Sequence, residues 1–144
     1  MPIFIENRSG VDVPEIGIES LLEFAFGALA LNSESELSLT FVDNSEMSDL
    51  HLKWMDEPGP TDVLSFPMDL PDGDEAVTLG DIVIAPVFAA EQARVAGHEV
   101  AHEISILAVH GLLHILGYDH AVEEEERVMF ELQEKLVSDW EKVQ

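Results

Sequence analysis

Cysteine is absent from this chain of 144 residues, which excludes both disulfide bonds and thiolate metal sites. Any bound metal must therefore use imidazole or carboxylate ligands. The sequence also lacks an apolar run of the roughly 18–20 residues that a membrane helix needs. Its first residues contain no basic segment followed by an apolar one, so we expect no secretory signal, no membrane partner and a cytoplasmic location.

Basic side chains are scarce, with six lysines and arginines against thirty aspartates and glutamates and a net charge of −24. Such a surface repels nucleic acids and anionic membranes at long range. No cluster of lysines and arginines interrupts it. Composition alone therefore favours a solvated acidic coat and argues against an RNA or DNA partner.

The length fits one domain, residues 1–144, with its own hydrophobic core. Apolar periodicity and the positions of proline and glycine predict nine elements. The predicted strands are 3–7, 36–43, 61–67 and 77–86, and the predicted helices are 14–31, 44–56, 86–96, 100–116 and 123–140. Ser45 is the expected cap of the second helix. The order of elements indicates an α+β fold, a small mixed β-sheet packed with helices.

Three of the six histidines fall within eleven residues, in the stretch HGLLHILGYDH at 110–120. Residues four apart on a helix lie about 40° apart around its axis, so His110 and His114 project side by side. Gly117 can end the helix in a left-handed conformation and return the chain, which brings in His120. Three imidazoles with an open fourth position are typical of a catalytic zinc site.

A second candidate, HEVAH at 98–102, is a literal form of the helical zinc motif H-E-x-x-H. Gly97 is expected to end the preceding helix, which places His98 and Glu99 in a turn or at a helix start. No third ligand follows at the matching spacing, because position 108 is alanine. We therefore prefer the downstream cluster.

The downstream cluster keeps the ligand spacing of metzincin proteases but has Gly111 where they have a catalytic glutamate. Peptide hydrolysis needs that carboxylate as general base, so protease activity is not expected. Gly111 either leaves room beside the metal for a bulky substrate or permits close packing of the helix. A metal-bound water can reach a pKa near 7 without the glutamate, so hydrolysis remains possible.

The histidine stretch resembles the signature H-G-x-L-H-L-x-G-Y-D-H of the YbeY family of rRNA maturation factors, with Ile115 as a conservative departure. PTDVLSFP at 60–67 and LGDIVIAP at 79–86 resemble two further signatures of that family. The matches occur in order and cover roughly residues 35–140.

This resemblance implies a metal-dependent endoribonuclease that cleaves single-stranded RNA, with a zincin-like site and one zinc ion per chain held by His110, His114 and His120. It further implies roles in maturing the 3′ end of small-subunit ribosomal RNA and in ribosome quality control. The implied partners are ribosomal RNA and ribosome or ribosome-assembly proteins.

The sequence departs from the family where Tyr-Arg usually precedes P-T-D-V, because Trp54 and Met55 stand there. Lys53 is the nearest cation, and we predict it, with His114 and Asp119, as a catalytic residue. Asp119 either hydrogen bonds to a ligating histidine or stabilises its turn. Ser65 either lines the cleft or is a buried strand serine.

Two other functions remain open at this stage. The charge favours a ribosome-biogenesis binding factor whose metal is mainly structural and whose partners are proteins. A hydrolase with an unrelated substrate is the third possibility.

Overall fold

The computed structural model describes residues 2–144. Within these residues, four strands and five helices follow one another, and each predicted element is present. The strands are β1 (Ile3–Asn7), β2 (Glu36–Phe41), β3 (Val63–Pro67) and β4 (Thr78–Ile84). The helices are α1 (Glu15–Ala28), α2 (Asn44–Met55), α3 (Pro86–Ala96), α4 (Val100–Ile115) and α5 (Glu123–Lys142).

The four strands form one mixed sheet in the order β1-β2-β4-β3. β1, β2 and β4 run parallel, and β3 runs antiparallel to β4, so that Ser65 lies opposite Ile82. The predicted α+β class with a small mixed sheet is confirmed. β3 is an edge strand, and its position at the edge matters for the site described below.

The main core lies between one face of the sheet and the helices α1, α4 and α5. Alternate residues of β2 and β4, such as Leu39 and Ile82, are fully buried there against apolar side chains of α1 and α4. A smaller cluster on the opposite face joins Met47 of α2 to Leu64 of β3 and Val83 of β4. The sheet is therefore covered by helices on one face and only partly covered by α2 on the other.

The helix α2 begins at Asn44 as predicted, but its capping residue differs from the prediction by two positions. The carboxylate of Asp43 accepts a hydrogen bond of 2.8 Å from the backbone N–H of Glu46, so Asp43 caps the helix. The expected cap, Ser45, lies inside the first turn. An aspartate and a serine are equally good caps, and the sequence pattern alone does not separate them.

Gly111 brings helix α4 close to the sheet. A Cβ atom added to Gly111 would lie 2.8 Å from Cγ2 of Ile82, which is closer than side-chain carbons approach. The hydroxyl of Ser65 on β3 also donates a 3.2 Å hydrogen bond to the carbonyl oxygen of Gly111. Of the two explanations for Gly111, the structure therefore supports close packing, because a side chain at position 111 would point at Ile82.

Within residues 2–144, no helix is both long enough and apolar enough to span a lipid bilayer.

We predict that Gly111→Ala lowers the free energy of unfolding by roughly 1 kcal/mol or more. The added methyl group meets the β-branched side chain of Ile82, and overpacking of this kind costs about 1–3 kcal/mol, which outweighs the gain in helix propensity. Gly27→Ala in α1 is the matched control, because nothing lies within 4 Å of a Cβ at that position. Chemical denaturation should show stabilisation for Gly27→Ala and destabilisation for Gly111→Ala; equal effects would contradict the packing role.

Candidate metal centre

Helix α4 and the turn that follows it carry the three clustered histidines. His110 and His114 lie one turn apart near the end of α4. Gly117 adopts φ = +100°, and the N–H groups of Gly117 and Tyr118 donate to the carbonyls of His114 and Leu113. This hydrogen-bonding pattern ends a helix and reverses the chain, and it places His120 beside the two helical histidines.

The three imidazoles converge. One nitrogen of each ring lies within 4.8 Å of the corresponding nitrogens of the other two. The ring centroids of His110 and His114 are 4.7 Å apart, and those of His114 and His120 are 4.9 Å apart. Among residues 2–144, these three form the only such group of potential ligands. The three predicted ligands therefore lie close enough together that they could hold a metal ion.

Gln133 of α5 holds His110 in place, and sequence reasoning missed it. Its side-chain oxygen lies 2.8 Å from Nδ1 of His110, and the residue is only 6% exposed. A carbonyl oxygen accepts, so Nδ1 carries the proton and Nε2 is left free to bind a metal. Gln133 lies 23 residues from His110 along the chain, and no local pattern links the two.

Burial lowers the pKa values of His110 and His114 below the ordinary value of 6.5, and the charges of neighbouring histidines lower both further. The hydrogen bond from Gln133 and the charge of Asp62 act in the opposite direction on the pKa of His110. Both rings are thus held in the neutral form, which is the form that binds metals.

Asp119 and Ser65 both lie at the cluster. The carboxylate of Asp119 accepts a 2.7 Å hydrogen bond from the backbone N–H of His120. Asp119 therefore orders the turn that carries His120, and the hydrogen bond to a ligand ring comes from Gln133 instead. Ser65 is half-buried and lines the cleft, so it is not a fully buried strand serine, and its hydroxyl donates to α4.

The histidines form one wall of a cleft of about 390 Å³. The opposite wall is the edge strand β3 with the residue before it, Asp62, and the end of α2 contributes Met55. His120 is exposed, whereas His110 and His114 are half-buried. The metal position thus opens on one side to a space that a substrate can enter.

The HEVAH residues do not join this cluster. Gly97 has φ = +80° and ends α3, and α4 begins only at Val100, as expected. The side chain of His102 lies 2.9 Å from a carboxylate oxygen of Glu141, and His98 lies 3.9 Å from Glu103. These histidines line a second, larger cleft of about 690 Å³ beside the first.

Lys53 does not reach the metal cleft. Its ammonium nitrogen lies 5.2 Å from the centre of the Trp54 ring, and it is not among the residues that line the cleft. Met55 does line the cleft, although 44% of it remains exposed. The position at which the sequence resemblance implies an arginine therefore lies at the cleft, and the uncharged side chain of Met55 occupies it here.

A family profile described as Endoribonuclease YbeY matches residues 6–141 of this sequence. The chain belongs to the endoribonuclease YbeY family. The resemblance seen in the sequence is thereby confirmed, and with it the predicted enzyme class, a nuclease that hydrolyses phosphodiester bonds of RNA.

Relatives named endoribonuclease YbeY include those of Nocardia farcinica, 51% identical over 148 residues, and Mycobacterium ulcerans, 49% identical over the same length. Each match covers 97% of this chain, and 80% and 83% of the two relatives. The fold is similar to a solution structure from Thermotoga maritima, with a TM-score of 0.69 and 26% sequence identity over 96% of this chain and 88% of the other.

We predict that Gln133→Leu weakens zinc binding about 10–100-fold, the usual effect of removing the partner that orients a ligating histidine. Gln92→Leu is the matched control, because Gln92 lines the neighbouring cleft without a hydrogen bond to a ligand. Competition with a chromophoric chelator measures both affinities. Unchanged affinity in Gln133→Leu would show that the hydrogen bond does not orient His110.

In metal-free protein, the imidazoles of His110 and His114 should titrate below pH 6.5, and NMR of the ring protons measures this. Because both pKa values are lowered by folding, the unfolded chain takes up protons that the folded chain resists. The contribution of these two rings to the free energy of unfolding should therefore decrease as the pH falls through 6.5, and stop decreasing below their folded-state pKa values. Midpoints at or above 6.5 would contradict the burial of these rings.

Proposed function

We propose that this chain is a zinc-dependent endoribonuclease that cleaves single-stranded RNA at His110, His114 and His120. Its proposed task in the cytoplasm is the maturation of the 3′ end of small-subunit ribosomal RNA and ribosome quality control, with ribosomal RNA and ribosome-assembly proteins as partners. The observation that carries the proposal is the convergence of three histidine nitrogens within 4.8 Å at the wall of an open cleft.

The donor set fits zinc. Neutral imidazoles suit zinc and related transition metals, whereas magnesium and calcium prefer oxygen ligands. Three protein ligands with an open side are typical of catalytic sites, and structural zinc sites usually have four protein ligands. When bound, zinc supplies Lewis-acid polarisation of a phosphoryl oxygen and a water of lowered pKa.

In this proposal, side chains of the protein hold the metal and accept a proton from the attacking water. His114 acts as a ligand, since its ring lies between those of His110 and His120. Asp62 is the carboxylate that lines the cleft, and its Oδ1 is fixed by a 2.8 Å hydrogen bond from the N–H of Val63. Asp62 is therefore our candidate for the group that accepts a proton from the attacking water. We assign no catalytic step to Lys53 or Asp119.

The net charge of −24 favours the second candidate, a ribosome-biogenesis binding factor with a mainly structural metal. The opening of the histidine cluster to a cleft on one side argues against this second candidate. The negative charge excludes long-range attraction of RNA phosphates. It does not exclude other ways of binding RNA. We therefore retain the nuclease as the function that the site supports best.

Cleavage of a labelled RNA that spans the 3′ end of precursor small-subunit rRNA tests this proposal. We expect zinc-loaded protein to cut single-stranded regions and His114→Ala to lose both zinc and activity. His98→Ala is the matched control, because His98 lies outside the cluster, and it should retain both. Asp62→Asn should keep zinc and the bond from Val63 but lose about 10²–10⁴-fold in rate, the usual worth of a general base.

Contaminating nuclease is recognised by equal cleavage in all four preparations. If the zinc-loaded protein leaves RNA intact but sediments with ribosomal subunits, and His114→Ala sediments equally well, the binding-factor function replaces the nuclease. Full activity of Asp62→Asn would remove only the role of Asp62.

A further inference from the structure

Two grooves adjoin the metal cleft, and their charges differ. The larger one lies between α3, α4 and α5 and shares Asp62, Val63 and His110 with the metal cleft. Four carboxylates line it, from Asp62, Glu91, Glu103 and Glu134. Phosphates of an RNA strand are repelled there, so this groove is a poor path for the substrate.

The second groove lies on the opposite face of the sheet, between β3 and α2, and has a volume of about 430 Å³. It shares Pro67 with the metal cleft, and on α2 its residue Trp54 is followed directly by Met55 of the metal cleft. Asp81 is the only carboxylate in its lining. A strand that leaves the metal position around the edge of β3 therefore enters this groove.

The most prominent side chain of this groove is an indole. Trp54 is 58% exposed, and its ring meets that of Phe66 in a T-shaped arrangement at a centroid distance of 6.0 Å. Met68, which is 61% exposed, widens the apolar surface. Exposing a tryptophan to water is unfavourable, whereas a flat aromatic face held by a neighbouring ring is what an unpaired nucleobase stacks on.

Lys53 supplies the only free cation beside this groove. Arg8 lines it but is paired with Glu6 and Glu46. Arg94, Arg127 and Lys135 also form ion pairs with carboxylates. Among residues 2–144, only Lys53 and Lys142 have no such partner, and Lys142 lies at the end of α5. Lys53 is held above the Trp54 ring, where it can meet the phosphate of a stacked nucleotide.

We propose that Trp54 and Lys53 form a nucleotide-binding subsite, in which an unpaired base of the substrate RNA stacks on the indole and Lys53 contacts its phosphate. This inference rests on the proposed RNA substrate and adds a recognition site outside the metal cleft. It reassigns Lys53 from catalysis to binding. Recognition through bases also lets an acidic protein bind RNA without a basic surface.

Tryptophan fluorescence tests the subsite directly. The chain has two tryptophans, and Trp140 is partly buried with its N–H donating to Ser20. In a Trp140→Phe background, Trp54 is the only tryptophan, and selective excitation of tryptophan isolates its emission. We expect a short single-stranded oligoribonucleotide to quench this emission in a stopped-flow experiment with zinc-loaded protein, before products form. A double-stranded RNA of the same sequence should not quench, because its bases are already stacked.

Substitutions of Trp54 and Lys53 measure how much the subsite contributes to RNA affinity. Trp54→Leu should weaken RNA binding about five- to hundredfold, as expected for the loss of one stacked base, and Trp54→Phe should retain most of the affinity. Zinc content should be unchanged in both. Phe4→Leu is the matched control, since Phe4 is similarly exposed, at 53%, on the opposite edge strand β1. Lys53→Gln should weaken binding at low salt and have little effect at high salt.

The failures of the two proposals are distinguishable. If zinc-loaded protein cleaves single-stranded RNA but Trp54 emission is unchanged, or if Trp54→Leu binds as tightly as Trp54→Phe, the subsite is wrong and the nuclease function stands. An equal loss in Phe4→Leu would also overturn the subsite. If RNA is neither bound nor cleaved, both proposals fail.

Discussion

The close approach of helix α4 to strand β4 is the constraint on which the site depends. At Gly111 the helix has no side chain, so its backbone lies directly against Ile82, and the hydroxyl of Ser65 binds the carbonyl of the same glycine. These two contacts fix both the distance of α4 from the sheet and the rotation of α4 about its own axis. His110, the neighbour of Gly111 in sequence, is thereby directed past the edge strand towards the cleft.

That constraint explains why a glycine stands where metzincin proteases have a glutamate. A side chain at position 111 points at the sheet and not at the metal position. A carboxylate there would be buried among apolar residues of β4 without a partner, which is costly. A catalytic carboxylate would therefore have to come from another element, and Asp62, in the loop before β3, lines the cleft.

Much of this could be predicted from the sequence, because the decisive signals are local. The i, i+4 spacing of His110 and His114 and the glycine at 117 predict three converging imidazoles without any knowledge of the fold. Gln133 could not be found in this way, because its contact with His110 depends on how α5 packs on α4. Lys53 does not lie at the predicted site for a similar reason. A residue's proximity in sequence to a signature segment does not show on which face of the sheet its side chain lies.

The way in which the third ligand is attached has a consequence for metal exchange. His110 and His114 are fixed by a helix that packs into the core, whereas His120 sits on an exposed turn held by the backbone bonds at Gly117 and by Asp119. Within that turn Tyr118 packs against the core, whereas His120 is exposed. Capture and release of a metal would then need displacement of His120 alone, because His110 and His114 are already aligned by the helix.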